Sequence, residues 1–446
     1  MDERIIRMVT RSVTNNRLLP LIALAGLAFG QAPAPPASSP VVIDLAQALA
    51  RAKQYAGQIQ SANLTLAQAT EDRVQAKAAT KPQISALSQY IYTEGNGTPS
   101  GVFVSNDGVH VYNDQGLVHE DVMPVFLKSA QQRAAAAEAV ARAKVDVAAR
   151  GLNATVITDY YAIADAARKL DNATLGVNEA RKFVDITQMQ ETGGEVAHAD
   201  VVKAQIQLQQ RQIDLNEAQV TVAKAKIALA VLIFTDLTTE YSVKDDLDQA
   251  DLLPPLPEAR TQAAASNPDV KAAGFTVDQA GYDVSVARYG YLPTVGLDFF
   301  YGLNSNAFAL HNRDGDRNVG AVAQITVNIP VWNWGATKSK VKQAELRQDQ
   351  ARLDLSIAQR ALQGQIASAH AEAEGALRQV AMLRDGVSLA ADSLRLTLLR
   401  YQAGEATAFE VADAQSTVKQ ARDAYDDGLA RYRVALANLR TLMGTL

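Results

Sequence analysis

Tyr401-Gln-Ala-Gly404-Glu405-Ala-Thr-Ala-Phe-Glu410-Val-Ala-Asp413-Ala-Gln415 is a glycine turn with acidic residues just beyond it, set between two long helical segments. It has a partner in the first half of the chain, Gly194-Glu195-Val-Ala-His-Ala-Asp200-Val-Val-Lys-Ala-Gln205. Gly194, Glu195, Ala204 and Gln205 match Gly404, Glu405, Ala414 and Gln415 at a constant spacing of 210, and Asp200 falls opposite Glu410. A single turn of this kind suits any helical hairpin. Two at equivalent places make the chain a duplicated one, and a repeat governs every later inference about fold.

The rest of the sequence follows that division. Ala48 to Pro82 and Ala259 to Pro293 align at a spacing of 211, each ended by proline. The expected layout is a first repeat over 31–231, with two strands within 83–127, a long helix over 128–192 and a helix over 196–231. A linker over 232–257 holds Asp245, Asp246, Asp248, Asp251 and three prolines. The second repeat spans 258–446, with two strands within 294–331, a long helix over 336–403 and a helix over 406–443.

The long helix of the second repeat has no proline and reaches about 100 Å at 1.5 Å per residue. Leu362, Ile366, Ala369, Ala373, Ala376, Val380, Leu383, Val387, Ala390 and Leu394 recur in steps of four and three, the coiled-coil spacing. The helix after the first turn carries two apolar stripes. One is Val201, Leu208, Leu215, Val222 and Leu229; the other is Ile206, Ile213, Val220 and Ile227. Two flanks need two neighbours, in a curved wall of helices or in a closed bundle.

Val295, Leu297, Phe299, Tyr301 and Leu303 alternate with a more polar set, as do Val319 to Val331. Period-two strands of about 9–11 residues suit an outer-membrane barrel. A soluble sandwich shows the same alternation. Tyr301, Trp332 and Trp334 are placed as an aromatic girdle near strand ends. Four strands cannot close a barrel, and an open sheet edge has no partners in lipid, so several chains must combine.

Composition narrows the function. A net charge of −5 spread along the chain gives no basic face for nucleic acid. With no cysteine, disulfides, thiolate catalysis, Cys-based metal sites and an acylated cysteine are unavailable to these residues. Arg11 and Arg17, an apolar run from Leu18 to Phe29, and small residues before Gln31 read as a secretory signal over 1–30. The five histidines are scattered, His370-Ala-Glu-Ala-Glu374 lacks a second histidine, and no nucleophile elbow, P-loop or dinucleotide fingerprint occurs. Neither an enzyme nor a cofactor is expected.

Together with the duplication and the two turns, Asn328-Ile-Pro330-Val-Trp-Asn-Trp-Gly335 at a strand-to-helix junction gives the chain its likeness: it resembles the TolC family of outer-membrane channel proteins. The resemblance implies an α+β membrane protein. It would be a homotrimer whose four strands per chain form a twelve-stranded barrel in outer-membrane lipid, continuous with a helical coiled-coil tunnel in the periplasm of a Gram-negative bacterium. It implies an exit duct for drugs, metal ions or proteins, working with a periplasmic adaptor and an inner-membrane transporter of RND, ABC or MFS type. Glu410 and Asp413 match a periplasmic constriction, and Asp200 and Tyr401 match a tip latch. Gly194, Glu195, Gly404 and Glu405 fall at the tips that meet the adaptor. Where the family's best-known member has a latch arginine, this chain has Ala406. The rival readings are a periplasmic adaptor, with one hairpin between β domains, and a trimeric coiled-coil protein without channel activity.

Overall fold

A computed structural model describes residues 41–93, 109–249 and 251–446. The expected signal at 1–30 and the polar stretch 94–108 lie outside the described residues.

The first half begins with strand β1 (Val41–Ile43) and helix α1 (Leu45–Tyr55). Asp44 caps that helix by accepting the Gln47 amide at 2.7 Å, while the Gln47 side chain accepts the Asp44 amide, a capping box. Helix α2 (Gly57–Ala78), strands β2 (Gln83–Thr93) and β3 (Val109–Asp121), and short helix α3 (Val122–Leu127) follow. Then come α4 (Ser129–Thr192), α5 (His198–Ile233) and strand β4 (Tyr241–Val243). The second half runs α6 (Leu256–Ser266), α7 (Pro268–Arg288), β5 (Thr294–Ser305), β6 (Val319–Asn328), α8 (Ala336–Gln402) and α9 (Ala408–Met443).

The four strands of the large sheet lie within the expected windows and stop short of their ends. Val122–Leu127 is a helix, with Pro124 in its first turn, where a missing N–H costs no hydrogen bond. β6 ends at Asn328, so Ile329 and Val331 stand outside the ladder; Pro330 between them has no N–H to donate.

The sheet is antiparallel in the order β2-β3-β5-β6. Its register places Val118, Phe299 and Ala323 in one row and Leu117, Phe300 and Val322 in the next. Each strand joins a helix: α2 leads into β2, β3 through α3 into α4, α7 into β5, and β6 into α8. The helices beneath pack in the matching order α2, α4, α7, α8. Farther from the sheet, α5 and α9 take the places of α2 and α7, giving α5, α4, α9, α8. The wall is one layer thick in both parts. Among the described residues, β2 and β6 are each paired on one side only.

The α8 heptad forms the seam of that wall: Leu362, Ile366, Ala373, Ala376, Ala390 and Leu394 are all buried. On α5, Val201 and Leu229 are buried, whereas Ile206, Ile213, Val220 and Ile227 are exposed. The second apolar flank therefore has no neighbour among the described residues. On the opposite border, α8 exposes Leu346, Leu353, Met382, Leu389 and Leu396.

The linker between the halves is fastened at many points. β4 pairs in parallel with β1. Arg168 on α4 donates to Asp245 and Asp248 at 2.6 Å each. Arg433 on α9 reaches Asp251 at 2.6 Å and Asp246 at 3.2 Å, and His370 on α8 donates to the Pro254 carbonyl at 3.1 Å. Tyr160 and Tyr432 donate their hydroxyls to the Lys244 and Asp251 carbonyls at 2.8 and 2.7 Å. Beside them lies the largest apolar cluster, with Ile43, Tyr160, Tyr161, Leu229, Ile233 and Leu247.

Candidate functional site

The two glycine turns close the hairpins α4–α5 and α8–α9 with one hydrogen-bond pattern. In the first, Gly194 N–H donates to the Glu191 carbonyl (2.9 Å) and Glu195 N–H to Gln190 (2.9 Å). In the second, Gly404 donates to Tyr401 (3.0 Å) and Glu405 to Arg400 (2.8 Å). This is the Schellman arrangement, in which a left-handed residue ends the helix and its own amide and the next one satisfy the last carbonyls. Gly194 and Gly404 supply the left-handed residue at φ 77° and 75°, where a Cβ would strain the backbone. Glu195 and Glu405 sit exposed at the extreme ends.

Behind the turns the hairpins share one apolar cluster. Phe183, Val184 and Ala204 of the first pack with Tyr401, Ala408 and Val411 of the second. Ala406 and Val196 lie partly buried against it. Tyr401 is 2% exposed, and its hydroxyl has no hydrogen-bond partner among the described residues. Nearby Thr187 donates its own proton to the Phe183 carbonyl at 2.7 Å. Burial pushes the Tyr401 hydroxyl pKa up; Thr187 opposes this and the charge of Asp200 adds to it. The structure thus brings Tyr401 and half-buried Asp200 into one neighbourhood, across two hairpins.

Glu410 and Asp413 lie in the first two turns of α9, which Thr407 caps by accepting the Glu410 amide at 3.3 Å. Both are exposed, while Val411, Ala414 and Val418 on the other face are buried. The helix therefore turns its carboxylates away from the wall, and its positive N-terminal end favours them there.

Sequence reasoning missed two neighbours. Arg400, in the last turn of α8, donates to the Glu405 carbonyl at 3.1 Å and lies 3.9 Å from the Glu410 carboxylate. Its signal was its position, since a helix C-terminus favours a cation. In the first hairpin His198 Nδ1 meets Glu191 at 2.8 Å, joining the two sides of the turn.

At the sheet end, Trp332 and Trp334 lie between β6 and α8, exposed and edge to face at 5.8 Å. Tyr301 is also exposed, but it sits inside β5, paired with Gly116 and Ala321, rather than at a strand end. On the other face His119 of β3 donates to Asp298 of β5 at 2.6 Å. Among the described residues, no cluster of His, Asp and Glu suits a metal ion, and no helix is long and apolar enough to cross a membrane.

Comparison with known proteins agrees with this architecture. A family profile described as "Outer membrane efflux protein" matches residues 259–445. The outer membrane efflux protein BepC of Brucella suis is 31% identical over 180 residues, 39% of this chain and 39% of BepC. The chain thus spans about two fifths of that relative's length in the match. The outer membrane protein TolC of Escherichia coli is 22% identical over 385 residues, 83% of this chain and 76% of that one. Among solved structures, the CmeC outer membrane channel of Campylobacter jejuni superposes with a TM-score of 0.80 at 15% identity. It covers 97% of this chain and 94% of its own, a likeness of fold. The second half is thus matched in sequence by the outer membrane efflux protein profile, and the chain is similar in fold, along nearly its whole length, to an outer membrane channel.

Proposed function

We propose that this chain is the protomer of a trimeric exit duct. It would conduct substrates passively across the outer membrane from a periplasmic adaptor and an inner-membrane transporter. The observation that carries this reading is the agreement between strand order and helix order. It leaves one unpaired strand, β2 or β6, above one unpartnered apolar helix flank, α5 or α8, on each border of the same wall. The two borders are different surfaces, so copies join head to tail, and such contacts close into a ring when the rotation allows. Closure pairs β2 with β6 of the next copy and removes the sheet edges that lipid forbids. It also covers Ile206, Ile213, Val220 and Ile227. Three copies give twelve strands, and the internal repeat gives quasi-equivalent halves.

In this reading Glu410 and Asp413 ring the narrow periplasmic end. Asp200 and Tyr401 hold adjoining tips, and Gly194, Glu195, Gly404 and Glu405 meet the adaptor. Trp332 and Trp334 lie at the periplasmic side of the barrel, with Tyr301 on its lipid face. The test is the purified protein from detergent-extracted outer membranes, run on native gels and reconstituted in planar bilayers. Heat-resistant trimers with cation-selective conductance are expected, and Glu410→Ala with Asp413→Ala should remove or reverse that selectivity. A monomer confined to the periplasmic fraction would refute the duct.

A further inference from the structure

The tips hold a positive charge in an unexpected place. At the turn, Ala406 is apolar and half-buried, packed against the shared cluster of Phe183, Tyr401 and Val411. The cation comes instead from α8. Arg400 reaches past the end of its own helix, donates to the Glu405 carbonyl (3.1 Å), and brings its guanidinium within 3.9 Å of Glu410. Asp413 has no salt-bridge partner among the described residues. The hydrogen bond to a turn carbonyl matters for the electrostatics, because it fixes where the charge of an otherwise flexible side chain resides.

We propose that Arg400 sets the ion selectivity of the periplasmic constriction by standing as a fixed counter-charge to Glu410. The proposal rests on the duct reading above, in which Glu410 and Asp413 surround the axis. Each copy then brings two carboxylates and one guanidinium to the ring, a net charge of one negative rather than two. The field of a narrow mouth depends on the summed charge around it, so halving that charge lowers the local concentration of cations, most steeply for multivalent ones. The constriction becomes a ring of mixed sign in which Asp413 carries most of the unbalanced negative charge. Arg400 acts on selectivity through Glu410 and leaves the width of the opening to the packing behind it.

The experiment uses the full-length trimer in planar bilayers, with reversal potentials in a potassium chloride gradient and titration with lanthanum ion. Arg400→Gln keeps a donor for the Glu405 carbonyl and removes the charge. It should raise the cation-to-anion permeability ratio about three-fold and lower the half-blocking lanthanum concentration about ten-fold. Arg400→Lys should restore both towards wild type. Glu410→Gln, which leaves Arg400 opposite Asp413, should abolish cation preference rather than halve it. A purely structural role at the turn would leave Arg400→Gln like wild type, because its donor is retained. A conducting Arg400→Gln trimer with unchanged selectivity and block overturns this inference alone. So does an Arg400→Lys channel that behaves like Arg400→Gln. If the wild-type protein forms no channel, the duct reading fails and this inference fails with it.

Discussion

Phe183 on α4 and Tyr401 on α8 meet edge to face, with ring centroids 5.2 Å apart, at the point where the two hairpins of one chain touch near their tips. The pair buries two aromatic rings in a wall otherwise built largely from alanine, valine and leucine.

Phe183→Ala is expected to remove about 3–5 kcal/mol from the packing of the tips, as for other buried aromatic truncations. Limited proteolysis should then cut near Gly194 and Gly404 sooner than in wild type. Tyr401→Phe keeps the ring and removes a buried hydroxyl that has no partner among the described residues, so thermal stability should be unchanged or slightly raised. A lowered Tm for Tyr401→Phe would show instead that the hydroxyl has a hydrogen-bond partner.

Arg433→Ala tests the waist. The Arg433 side chain is 6% exposed, binds Asp246 and Asp251, and lies over the Tyr161 ring at 5.4 Å. Removing one partner of a buried ion pair costs about 3–5 kcal/mol. The lower end is expected, because Arg440 still reaches Asp251 at 3.2 Å. Arg440→Ala, at a more exposed side chain, should cost less than about 1 kcal/mol. Chemical denaturation of the two variants with cleavage mapping of 244–254 compares them directly.

The same region makes the protein sensitive to alkali. Burial pushes the Tyr241 hydroxyl up to about 12, with the charge of Asp159 adding to it. Tyr160, Tyr161 and Tyr432 are raised too, burial again being the leading cause. An unfolded tyrosine loses its proton near pH 10. Above that value the folded state holds more protons than the unfolded one, so stability falls as pH rises. Below pH 10 the contribution is fully present. Tm should therefore be level from about pH 7 to 9 and decline between about 10 and 12, and Tyr241→Phe should make the decline shallower.

Gly302→Ala should disrupt the sheet. A Cβ there would lie 2.2 Å from the Asp114 carbonyl oxygen and 2.6 Å from Gln115 Cα, both main-chain atoms of β3. Neither can rotate away. The expected result is loss of the heat-resistant folded band on gels, against little effect for Gly320→Ala, where nothing lies within 4 Å.

The parts of this molecule legible from sequence are the periodic ones. Long helices repeat their apolar residues over many turns, and the glycine turns stand out because they recur. The α5 stripe Ile206–Ile227 called for a second neighbour by its spacing alone. The linker was read from composition alone, and composition is silent about partners. Asp245 and Asp251 served only to mark the linker, but Arg168 and Arg433, far away in the chain, hold them. Val122–Leu127 looked like the end of a strand because six apolar residues are too few to display a helical period. Arg400 was missed because its role comes from the reach of one side chain around a turn.

The waist has a mechanical consequence. Both tip turns have their amides committed to the last carbonyls of the preceding helix, which stiffens the hairpin ends. Tyr432 is tied to the linker 24 residues from the start of α9 at Ala408, which is a lever arm of about 36 Å at 1.5 Å per residue. A tilt of about 10° around that tie sweeps the tip through about 6 Å on an arm of that helical length. A modest push on the outside of the wall near the waist is thus geared up into a displacement as large as a side chain at Glu410.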